Sequence, residues 1–195
     1  MLSLLLSLLL SLVVTMLPVR CYQWVMHRRG NELTLSHRRW TYGLTVYLWA
    51  IFFVTDRLAQ PDGAAGTALT WLPTDRWAWG LLGLNLFLMA PLGFLVPHIW
   101  RHLSGAVEVV FIGYLCTVFM ALAQLPTYRV MAVGDVLMGT VGTFLGFLFW
   151  RQIGYYFFCG RVSSRTVALS RAEPFVYLGS CFFCQMALEQ WLPLL

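Results

Sequence analysis

The sequence predicts an all-α, polytopic membrane protein: a single integral membrane domain over 1–195, with about six transmembrane helices in one bundle. Three observations carry that reading. Of the 195 residues, 59% are hydrophobic and 11% charged, and the mean hydropathy is +0.72; a soluble core of this size would need a far more polar shell. Apolar segments approaching the roughly 20 residues that cross a hydrocarbon layer recur along the chain. Finally, all 13 positive charges are arginines, and they lie between the apolar segments rather than in a patch interleaved with aromatics. Membrane topology therefore accounts for the net charge of +5 better than nucleic-acid binding does.

The six spans fall near Leu2–Val19, Trp40–Thr55, Trp77–Ile99, Ala106–Gln124, Val133–Phe158 and Phe175–Leu194. The connections at 20–39, 100–105 and 151–174 hold ten arginines against three (Arg57, Arg76 and Arg129) on the other set. Positive charge stays inside, so both termini are expected outside the cell membrane.

The first segment, LSLLLSLLLSLVVTMLPVRC, lacks a basic n-region and a small-residue cleavage site, and reads as an uncleaved helix. Ser3, Ser7, Ser11 and Thr15 recur every four residues, a stripe suited to close helix packing. The first inner connection, MHRRGNELTLSHRRW, repeats His-Arg-Arg at His27 and His37. It reads as a topology determinant, with an anionic-lipid clamp as the alternative. The outer connection from Asp56 to Arg76 is rich in Gly, Ala and Pro and is expected to be irregular, with Trp71, Trp77 and Trp79 at an interfacial belt. In the third span Pro91 removes a backbone donor and predicts a kink. Glu108 opens the fourth span and is expected to pair with Arg101 or Arg151. The fifth span carries Gly139, Gly142 and Gly146, and GTFLG fits a GxxxG contact face. Contacts among the third, fourth and fifth helices are expected through Gly93, Gly142 and Gly146.

Within this region Asn85, Gln124, Arg129 and Asp135 are polar groups that hydrocarbon tolerates badly. A charge at bilayer depth costs at least about 2.5–3.5 kcal/mol, so such groups face protein or water and often mark a site. Alternation of span direction brings all four to the outer third of the membrane. Arg129 is the anion contact in this reading, because a guanidinium grips carboxylate or phosphate through two parallel hydrogen bonds. Asp135 would orient it, and Gln124 and Asn85 would add neutral hydrogen bonds. The alternative is a cluster that seals helix ends.

NLFLMAPLGFLVP, the Gln124 ending, Arg129 and DVLMGTVGTFLG, in that order and spacing, resemble the core of the VanZ-like membrane proteins over about 69–150. The resemblance implies a bacterial integral membrane protein with a role in tolerance of teicoplanin-type antibiotics and no established reaction. That family usually has a glutamate where this chain has Ala121 and an asparagine where it has Gly139. The outer polar layer is kept and the layer one turn inward is lost.

Nothing in the chain proposes a cofactor, a metal site or catalytic residues. His27, His37, His98 and His102 all fall on the inner side of the expected topology, which argues against outward-facing histidine chemistry. Cys181 and Cys184 form a CxxC inside the last span, where cysteines act as small hydrophobes, and the total of 5 is odd. Three function classes follow. The first is a non-enzymatic protein that binds a lipid-linked cell-wall precursor or a glycopeptide antibiotic at the outer leaflet, with membrane lipids as its other partners. The second is a small transporter or lipid-handling protein, and the third an enzyme acting on lipid head groups.

Overall fold

A computed structural model describes residues 2–30, 34–58, 76–124, 133–154, 156 and 172–191. Helix α1 spans Leu2–Arg28, α2 Leu35–Leu58, α3 Arg76–Ile99, α4 Ala106–Gln124, α5 Val133–Phe149 and α6 Glu173–Trp191. A 3₁₀ turn at Arg101–Leu103 joins α3 to α4, and a π-helical turn at Trp150–Gly154 continues α5. Among the described residues every regular element is helical, as the composition predicts.

Among the described residues four stretches are long and apolar enough to cross a membrane: Leu9–Arg28, Leu82–Ile99, Ala106–Ala123 and Val133–Ile153. Of the six expected spans, those in α2 and α6 fall short of that measure. Helix α2 includes four charged residues, Arg38, Arg39, Asp56 and Arg57, and α6 opens on Glu173.

The helices gather into two compact units, one of α1, α2 and α6, the other of α3, α4 and α5. In the first, α1 continues past Val19, where the expected span ended, through Pro18 and on to Arg28. Proline lacks the N–H that would bond the carbonyl four residues earlier, here that of Val14. The thiol of Cys184 on α6 donates to that carbonyl at 3.7 Å, so the helix crosses its proline with the freed acceptor occupied. Gly30, with φ of +80°, ends the helix, and its N–H bonds the His27 carbonyl at 3.1 Å. The small-residue stripe packs as expected where its side chains are described. Ser11 and Thr15 are buried, and Trp49 Nε1 of α2 donates to Ser11 Oγ at 2.9 Å. Nearer the arginine-rich end, Gln23 Nε2 donates to Thr41 Oγ1 at 3.1 Å and Tyr42 OH donates to Gln23 Oε1 at 2.7 Å.

In the second unit, α3, α4 and α5 meet through glycines. A Cβ placed on Gly93 would strike the Thr143 carbonyl, one on Gly142 the Leu86 carbonyl, and one on Gly146 the Ala90 carbonyl. Partner numbers rise together, so α3 and α5 run parallel. Against α4, Gly113 meets the side chain of Thr143 and Gly139 meets the methyl of Thr117; numbers here run oppositely, and α4 is antiparallel. Meanwhile Leu137, Val141, Phe144 and Leu148 of α5 are exposed. Glycine inside and large apolar residues outside is the pattern expected where lipid, not water, surrounds the helices. Helix α3 runs unbroken through Pro91 and Pro97.

Candidate functional site

Across the α3–α5 interface, near the N-terminal end of α5, Asn85 Nδ2 donates to Asp135 Oδ1 at 2.8 Å. Both residues are half-buried. Asp135 lies in the first turn of α5, where the helix dipole and unpaired backbone N–H groups favour a carboxylate. A bond to an ionised acceptor is shorter and stronger than a neutral one. The pair thus ties two parallel helices together at one depth, and it joins the two sequence-predicted residues whose side chains are described. Gln124 is the last residue of α4, at the end that the antiparallel register brings toward the start of α5. Its side chain, and all of Arg129, lie outside the described residues. The sequence reading gave Asp135 the task of orienting Arg129; the structure adds Asn85 as a partner of that carboxylate.

From the level of Asp135 inward, the interior closes. The register that sets Gly113 against Thr143 and Thr117 against Gly139 puts Ala121 level with Asp135, and Ala121 is buried. A Cβ on Gly139 would strike the Thr117 methyl and lie 3.2 Å from Met89 Cγ. Met89 and the Thr117 methyl therefore occupy the room that an asparagine at position 139 would need. Loss of the inner polar layer is built into the packing as well as the sequence.

Glu108 sits exposed in the first turn of α4. The expected pairing with Arg151 is not formed, since among the described residues the one ion pair is between His37 and Glu173. An exposed carboxylate gains little from pairing, which offsets poorly the entropy of holding two side chains. The side chain of Arg101 lies outside the description.

That one pair belongs to a second polar cluster, in the unit of α1, α2 and α6, which the sequence reading did not anticipate. His37 was read there as part of a topology determinant or lipid clamp. It is instead buried, its Nε2 3.0 Å from Glu173 Oε1, and Glu173 is itself fully buried. Tyr177 OH donates to the same oxygen at 2.8 Å, and Tyr22 packs edge-on against the Tyr177 ring. Glu173 begins α6, so the helix N-terminus adds to its stabilisation. The partners stand 136 residues apart, beyond any local spacing rule. One signal was available: Glu173 is the only acidic residue between Asp135 and Glu189, and a lone carboxylate at the edge of an apolar segment needs a partner.

The CxxC holds no disulfide: Cys181 is a buried thiol, and the thiol of Cys184 donates to the Val14 carbonyl. Cys159 lies outside the described residues. Among the described residues no three of His, Cys, Asp and Glu gather as a metal site would require.

These features define a class, a helical membrane protein with a three-helix unit closed by glycine contacts and capped at one end by an amide–carboxylate pair. The chain matches the VanZ/LLP1 family model over residues 2–158, well beyond the 69–150 on which the resemblance rested. It belongs to that family. No curated protein and no solved structure matches it.

Proposed function

We propose that the protein is a bacterial cell-membrane protein of six spans with both termini outside, and that the end of the α3–α5 pair recognises an anionic group without transforming it. The ligand class is a lipid-linked cell-wall precursor or a glycopeptide antibiotic of the teicoplanin type, met at the outer leaflet. The observation that carries this reading is the 2.8 Å bond from Asn85 to Asp135, which places a carboxylate at the end to which the connection bearing Arg129 returns. Cell-wall lipid intermediates carry a pyrophosphate, and a guanidinium is the side chain best shaped to grip one. The closed interior at Ala121, Gly139 and Met89 supports recognition over transport, which needs a polar path inward.

Arg129→Lys tests the proposal, since it keeps the charge and loses the fork. Cells carrying the variant are expected to become more sensitive to teicoplanin while the protein level stays that of wild type. A stable variant with wild-type tolerance refutes recognition by Arg129.

A further inference from the structure

Helices α1 and α2 enclose a groove of about 390 Å³ at their arginine-rich end, lined by Arg20, Cys21, Gln23, Trp24 and His27 of α1 and Arg38 of α2. We infer that this groove binds the phosphate headgroup of an anionic phospholipid, a site separate from the one proposed on α3–α5.

The two His-Arg-Arg repeats sit on helix ends and face different ways. His37 turns into the unit to meet Glu173, whereas Arg38, the next residue, lines the groove opposite His27 of the first repeat. The wall is held in place from both sides. The Arg20 guanidinium lies over the Tyr42 ring at 5.3 Å, and that of Arg28 over Trp24 at 3.9 Å. Gln23 is committed to Thr41 and Tyr42 and forms a fixed polar edge. Among the described residues no carboxylate pairs with Arg20 or Arg38, because Glu173 is taken by His37 and Tyr177. Two guanidiniums facing one groove, with no paired carboxylate among the described residues, suit an anion with several acceptor oxygens.

The surroundings select a lipid over a free ion. Val13 and Leu17, 56% and 55% exposed, continue the face of Arg20 and Trp24 along α1 at spacings of three and four residues. An acyl chain laid on that stripe reaches the groove with its headgroup.

The test uses the whole protein exchanged from detergent into phosphatidylglycerol or phosphatidylcholine of identical chains, with retained lipid counted by native mass spectrometry. Wild type is expected to retain phosphatidylglycerol about tenfold over phosphatidylcholine, and Arg20→Gln or Arg38→Gln to lower that about fivefold each. Arg39→Gln, an exposed neighbour outside the groove, is expected to behave as wild type. Equal retention of the two lipids by wild type overturns the inference whatever the variants do. An Arg39→Gln loss equal to that of Arg38→Gln replaces the site with general surface charge. Displacement by inorganic phosphate at the lipid's own concentration shows a phosphate site and refutes a lipid one.

Discussion

Gly146→Ala adds one methyl group where the structure leaves no room. The new Cβ would strike the Ala90 carbonyl oxygen and lie 2.7 Å from its carbon and 3.1 Å from Cα. All three are backbone atoms, so no side chain can rotate away and α3 must move from α5. The glycine is not required for its conformation: among the described residues the glycine at positive φ is Gly30. Overpacking of this kind costs about 1–3 kcal/mol, and a chain of this length loses roughly 2–4 °C of unfolding midpoint per kcal/mol, so the midpoint should fall by about 2–12 °C. Gly83→Ala, on the same helix pair, supplies the opposite sign. A Cβ there meets nothing within 4 Å, and exchanging a helical glycine for alanine stabilises by about 0.5–1 kcal/mol. Thermal unfolding in one detergent, followed by tryptophan fluorescence, should separate the two variants on either side of wild type. Equal midpoints would show that α3 and α5 do not approach through Gly146, and the packing argument would fail.

His37→Leu takes the imidazole away from the buried Glu173 carboxylate. Breaking a buried pair costs about 3–5 kcal/mol, so the variant should unfold well below wild type, and His37→Leu with Glu173→Leu should recover much of the loss; a double variant as weak as the single would refute the pairing. The proposed orientation is read by labelling single cysteines placed between Arg161 and Arg171 with an impermeant reagent on intact cells. They should stay unlabelled until the membrane is opened, and labelling from outside would reverse the topology.

What could be read from the chain alone follows from the range of each interaction. Helix identity was legible because apolar length is a local property; so was the α3–α5 contact, because Gly142 and Gly146 sit four residues apart on one face. Helix ends were less so. The first span was expected to end near Val19, yet α1 reaches Arg28 with Cys184 of α6 bonded to the carbonyl Pro18 frees. The Asn85–Asp135 pair was half legible: both residues stood out as polar groups at one depth, while the direct bond needed the parallel register of two helices. The pairing of His37 with Glu173 was hidden altogether. Two identical His-Arg-Arg repeats invite one explanation, and only the angular position of each residue on its helix gives His37 and Arg38 different neighbours.

The position of Asp135 constrains what the α3–α5 unit can do chemically. A carboxylate raised to a general base is usually desolvated or set beside a second acid, which holds its proton near neutral pH. Asp135 is half-buried, in the first turn of a helix, and accepts a bond from an amide. The level where the family usually supplies a second carboxylate holds Ala121, and the next turn holds Gly139 under the Thr117 methyl. Each of these suits a carboxylate that acts as a hydrogen-bond acceptor held in place. An acceptor of that kind is suited to steering a guanidinium. In the proposed site, the packing that excludes the family's inner polar layer fits Asp135 to a positioning role, and the arginine it would position is the group to test.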